Sequence, residues 1–143
     1  MDQSQLDKMK AELLHDEGYR QYVYLDIHGV PTVGIGRNLR TRGISKDEAL
    51  FLLQNDIRST WNELTTLIPW IVNLNDVRQR VIVNLAFNLG VTGLMGFKDM
   101  LKKCRLGQFK EAGEEILDSK AGRELKNRYS RLALEMATGT EYE

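Results

Sequence analysis

The chain has 143 residues, 20 Lys and Arg against 20 Asp and Glu, a formal charge of zero and 42% hydrophobic residues. That is enough chain to bury the core of one or two small domains, too apolar for a disordered segment and too balanced for a general polyanion binder. A single cysteine, Cys104, excludes an intrachain disulfide framework, and no run approaches the roughly 18 apolar residues of a membrane-spanning helix.

The N-terminal stretch MDQSQLDKMKAELLHDEG mixes charges of both signs, unlike a signal peptide. A protein made and folded in the cytoplasm is expected. Leu6, Met9, Leu13 and Leu14 recur at three- and four-residue spacings and predict a helix from about Ser4 to His15. Gly18 is the expected stop, which places Glu17 where the helix runs out. The run Tyr22–Ile27 is rich in β-branched and aromatic residues and reads as a strand. Thr32 to Gly36 returns beside it. A three-residue loop of His28, Gly29 and Val30 sets Asp26 opposite Thr32, with both on one face.

Ser45-Lys46-Asp47-Glu48 is a capping box opening a helix to about Trp61, whose buried face would be Ala49, Leu52, Leu53, Ile57 and Trp61. Asn75 caps a nearly all-apolar central helix from Asp76 to Leu89, ended by Gly90. Shorter helices follow at Phe97–Cys104, Gln108–Asp118 and about Gly122–Met136. The expected fold is α+β in one domain over residues 1–143. A small β-containing lobe (15–44) and a larger helical lobe (1–14 with 62–143) are joined by the helix at 45–61, with a ligand cleft between the lobes.

Glu17 and Asp26 are two carboxylates on different elements of one compact stretch. Glycosidic bond cleavage needs such a pair: one carboxyl donates a proton to the leaving oxygen, the other stays ionised and acts on a water or on the anomeric carbon. Glu17, beside Tyr19, is expected to be shielded enough to hold a proton, and Asp26 to stay charged. Thr32 adds a hydroxyl that orients the water. Asn84 and Asn88, at i and i+4 in an apolar run, either bond neighbouring backbone or read sugar hydroxyls and acetamido groups. Lys120, Arg123, Lys126, Arg128 and Arg131 form either a solvated face, an attractor of acidic polymer, or a guanidinium set against a buried carboxylate. Cys104, between Lys103 and Arg105, reads as an ordinary helix cysteine. His15 and His28 stand alone, with no metal-site spacing. Gly34-Ile35-Gly36 lacks the rest of a dinucleotide fingerprint, which discounts a nucleotide site; no cofactor and no nucleic-acid partner is expected.

These motifs together resemble the phage T4-type lysozymes, an endolysin family. The resemblance rests on DEG at 16–18, YLD at 24–26, Thr32–Gly36 as T-x-G-I-G, and ISKDEA at 44–49. It extends through VNLAFNLGVTGLMGF at 83–97, NR at 127–128 and TGT at 138–140. It implies a lysozyme-like fold and hydrolysis, with inversion, of the β-1,4 bond between N-acetylmuramic acid and N-acetylglucosamine in peptidoglycan. Glu17 is then the general acid, and Asp26 with Thr32 places the water. Asn84, Asn88, Gly36 and Phe97 fall on the substrate side, and Arg128 matches an arginine that approaches the catalytic glutamate. Arg37 stands where the family motif often has histidine, and is expected to pair with Asp56. The stretch between Gly36 and Ile44 is shorter than in the T4 protein.

The resemblance also implies a monomer without stable membrane association. It would wait in the host bacterial cytoplasm for a holin-like pore, or be delivered on a virion or secretion apparatus. Two other readings compete: a lytic transglycosylase, which needs only the acid, and a non-catalytic cell-wall-binding domain.

Overall fold

A computed structural model describes residues 1–142. The chain divides into two compact units, Met1–Leu52 and Leu53 onward. In the first, helix α1 (Gln3–Glu17) starts where Asp2 accepts the Gln5 N–H at 2.8 Å and ends at Gly18, whose φ of 71° carries the chain out of the helix. Of the apolar stripe expected on α1, Leu6, Leu13 and Leu14 are exposed and Met9 is half-buried. Thr32 is the only fully buried residue among those described in this unit.

Strands β1 (Arg20–Leu25), β2 (Pro31–Gly34) and β3 (Arg37–Asn38) form an antiparallel sheet in that order. The hairpin loop has the expected length but a different place. Tyr24 pairs with Thr32, the Asp26 N–H donates to Val30 O at 3.0 Å, and the Gly29 N–H donates to Asp26 O at 2.9 Å. The loop is therefore Ile27–His28–Gly29, and Asp26 stands opposite Val30 rather than Thr32. The reason is Gly29, with φ +72°: a turn followed by a left-handed residue needs its glycine third, not second. This slip of two residues along the partner strand preserves parity, so Asp26 and Thr32 still share a face. The two-residue β3 escaped the sequence reading because so short a run has no periodicity.

Helix α2 (Lys46–Leu67) opens on the expected capping box, closed both ways: Glu48 N–H to Ser45 Oγ at 3.2 Å and Ser45 N–H to Glu48 Oε1 at 3.1 Å. It outruns Trp61 because nothing breaks it before Pro69, which disfavours helical backbone at Ile68. Its one fully buried residue is Leu64, with Trp61 half-buried; Ala49, Leu52, Leu53 and Ile57 are exposed, contrary to the expected face.

In the second unit a 3-10 turn (Pro69–Asn73) leads to α3 (Asp76–Met95), capped by Asn75 through the Arg78 N–H at 3.0 Å. Gly90, at φ 75° and ψ 160°, breaks its helical geometry at the expected end. Then come α4 (Lys98–Arg105), α5 (Phe109–Asp118), α6 (Lys120–Glu124) and α7 (Lys126–Thr138). The last two were expected as one helix; Leu125, at φ −116° and ψ 56°, separates them. Val81, Ile82 and Leu85 of α3 pack with Met100, Ile116, Tyr129 and Met136 in the core. Cys104 belongs to that core: burial pushes its thiol up to about 11, which keeps it unreactive. No single helix among the described residues is long and apolar enough to cross a membrane.

Where α5 meets α7 the backbones touch. A side chain at Gly113 would put its Cβ 2.7 Å from Ala133 O. Gly113→Ala is therefore expected to cost about 1–3 kcal/mol, read as a lower midpoint in thermal or urea unfolding. An unchanged midpoint would show that the two helices are free to move apart.

Candidate active site

The hairpin loop sets Asp26 and Thr32 on a shared support. Asp26 Oδ1 accepts the N–H groups of His28 (2.8 Å) and Val30 (2.9 Å), folding the carboxylate onto its own turn. The Thr32 hydroxyl donates to Val30 O at 2.8 Å. One residue, Val30, thus anchors both side chains. The Val30 N–H, opposed in part by desolvation and seconded by His28, holds the Asp26 carboxyl below the usual carboxylate range. Arg40 steadies the loop, its Nη2 donating to Gly29 O at 3.3 Å.

Glu17 is the last residue of α1 and is exposed, so its own unit does not supply the shielding expected from the sequence. Its carboxyl lines a shallow pocket of about 250 Å³ with Lys10, Leu13 and Ile35. The side chain lies along Gly36: a Cβ there would fall 3.0 Å from Glu17 Oε2 and 3.1 Å from its Cδ. The turn between β2 and β3 therefore meets the end of α1 at this carboxylate.

Arg37 does not pair with Asp56. Its guanidinium grips Glu48 at both oxygens (Nη1–Oε1 2.9 Å, Nη2–Oε2 2.5 Å) and donates to Gly43 O at 3.1 Å. Asp56 lies eight residues further along α2, about 12 Å at 1.5 Å per residue, whereas Glu48 is already held in place by the capping box. Arg37 and then Ser45 pull the Glu48 carboxyl from 4.5 down to about 2. A carboxyl with a folded pKa below its unfolded value adds stability above the unfolded value, and that stability is lost as pH falls through the folded one. Acidification from pH 4.5 toward 2 is therefore expected to lower the melting temperature of wild type more steeply than that of Glu48→Gln, which has no charge to lose there. Parallel melting curves over that window would remove the pair from the acid response.

The second unit holds a groove of its own, about 540 Å³, with an apolar floor including Ile57, Trp61 and Phe87 and a rim including Gln79, Asn84 and Arg128. Asn84 Oδ1 accepts from Arg128 Nε (3.0 Å) and Nη2 (2.8 Å), and Nη2 also reaches Asn84 O at 3.2 Å. Arginine only donates, so the amide oxygen must face it and the Asn84 NH₂ points elsewhere. Asn88 accepts from the buried Tyr129 hydroxyl at 2.6 Å. Neither asparagine oxygen is spent on neighbouring backbone, and Arg128 is set on an amide rather than on a buried carboxylate. Phe97, expected on the substrate side, is half-buried against the core. Phe87, which the sequence reading passed over, lines the groove instead. The signal was available: Asp76, Gln79, Arg80, Val83, Asn84 and Phe87 form one stripe of α3 at helical spacing. Of the remaining basic residues on α6 and α7, Arg123 donates to Asp118 O at the end of α5 (2.8 Å).

Comparison with known proteins places this geometry. The family model for phage lysozyme matches residues 15–132, the span from the end of α1 into α7. The chain is 28% identical to the pre-baseplate central spike protein Gp5 of Enterobacteria phage T4, over 90% of its own length but only 28% of that protein's. It is 25% identical to probable T4-type lysozyme 1 of Dictyostelium discoideum, over 94% of this chain and 96% of that one. The endolysin of Salmonella phage P22 is 26% identical, over 80% and 82% respectively. A family match over residues 15–132, most of both units, makes this chain a member of the phage lysozyme family, a lysozyme-type peptidoglycan hydrolase.

Proposed function

We propose that the protein is a muramidase that hydrolyses the β-1,4 bond between N-acetylmuramic acid and N-acetylglucosamine with inversion, serving host cell lysis. The observation that carries this reading is the common anchor of Asp26 and Thr32 on Val30. Thr32 has committed its proton to the Val30 carbonyl, so the rest of its oxygen can only accept. Asp26, ionised, can only accept as well. A water between them donates both of its hydrogens and is left with a lone pair directed outward for attack on an anomeric carbon; as its bond to that carbon forms and the glycosidic bond breaks, Asp26 takes the proton the water releases. Glu17 donates the proton to the departing sugar oxygen, and bound saccharide supplies the desolvation that its own unit does not.

In the helical unit the free NH₂ of Asn84 and the rings of Trp61 and Phe87 suit acetamido groups and sugar faces. Release from the host cytoplasm through a holin-like pore, or carriage on a virion, would bring it to the wall.

The test is digestion of purified peptidoglycan, with mass spectrometry and anomeric NMR of the products. Muropeptides with new reducing ends that first appear as the inverted anomer support the proposal. Products lighter by one water, bearing anhydro sugars, would replace it with a lytic transglycosylase, and no cleavage would leave a binding domain.

A further inference from the structure

We propose that Gly36 is a positioning residue for the proton-donating carboxylate, its missing side chain forming the seat on which Glu17 rests; this builds on the reading of Glu17 as general acid. The other four glycines of the first unit supply the contrast. Gly18, Gly29, Gly34 and Gly43 all have positive φ, and a Cβ added to any of them meets nothing within 4 Å. Gly36 shares the conformation (φ +69°) but not the empty space. Its Cβ would fall 3.0, 3.1 and 3.3 Å from Oε2, Cδ and Cγ of Glu17. The crowded neighbour is therefore the acid's own side chain and not the backbone.

Glu17 ends a helix and is exposed, so it can yield, and yielding means that the carboxyl leaves its place. A Cβ at these distances asks the carboxyl to give by a few tenths of an ångström, a fraction of the roughly 1 Å displacement at a reacting group that can cost 10²-fold in rate. Gly34, two residues earlier and at φ +68°, supplies an internal control: alanine there carries the same left-handed strain without touching Glu17.

The experiment compares kcat, KM and thermal melting of Gly34→Ala and Gly36→Ala on peptidoglycan. Both variants are expected to melt below wild type. Gly36→Ala should lose a few-fold, up to about tenfold, in kcat with KM nearly unchanged, and Gly34→Ala should keep its kcat. Should Gly36→Ala fail to fold, Gly36→Asn carries the same Cβ on a residue that better tolerates positive φ. In a Glu17→Gln background, Gly36→Ala should cost nothing further, because the group it displaces no longer donates. Equal kcat for the two alanine variants, or a full additional loss on top of Glu17→Gln, would overturn the positioning role. If instead Glu17→Gln retained wild-type activity, the acid assignment itself would fall, an outcome separable from the first.

Discussion

Glu17→Gln is expected to cut peptidoglycan hydrolysis by about 10²–10⁴-fold, the range that general acid catalysis contributes, while leaving the protein folded. Glutamine keeps the length and shape of the side chain along Gly36 and removes only the capacity to donate the proton. Because Glu17 is exposed at the end of α1, with no buried partner network to disturb, its replacement should move stability by less than about 0.5 kcal/mol. The pairing of lost activity with an unchanged melt is the informative result. Turbidity clearing of cell walls by the variant at the wild-type rate would take Glu17 out of the chemistry.

Asp26→Asn is expected to be comparably damaging for a different reason, and its comparison with Asp26→Ala isolates that reason. Asparagine retains an oxygen that accepts the His28 and Val30 N–H groups, so the hairpin turn should persist. What disappears is the negative charge that, in the proposed mechanism, accepts from the attacking water. Asp26→Ala loses the charge and the turn's side-chain bonds together, and should melt lower than Asp26→Asn at equal inactivity. The depressed pKa of Asp26 carries a second expectation. The carboxylate stays ionised below the usual carboxylate range, so the acid limb of kcat/KM should lie below that range. An acid limb at or above the ordinary aspartate value, or an Asp26→Asn protein that hydrolyses normally, would contradict the role given to this side chain.

Most of the helices could be read directly, because their signals are local. The Ser45–Glu48 box, the Asn75 cap and the glycines at 18 and 90 each act within a few residues, and each acts in the structure as expected. Errors cluster where a signal was weak or had to be counted. Two-residue β3 has no period, the break at Leu125 has neither glycine nor proline to announce it, and the hairpin register turned on which loop position Gly29 occupies. The places of the candidate site residues on the fold were legible to the extent that they are a matter of spacing. Glu17, Asp26 and Thr32 follow from the helix end and strand alternation, and alternation survives a slip of two residues.

What the amino-acid sequence by itself determined is therefore the family, the placement of the helix caps and stops, and the common face of Asp26 and Thr32. All of these rest on periodicity or on bonds spanning a few residues. The tertiary structure alone decided the partners: Glu48 rather than Asp56 for Arg37, Asn84 for Arg128 across 44 residues, Gly36 beneath Glu17. Several acceptors of suitable chemistry lie along the chain for each donor. Which one is used depends on the few ångströms over which a hydrogen bond or a van der Waals contact acts, a distance that only the packed backbone sets.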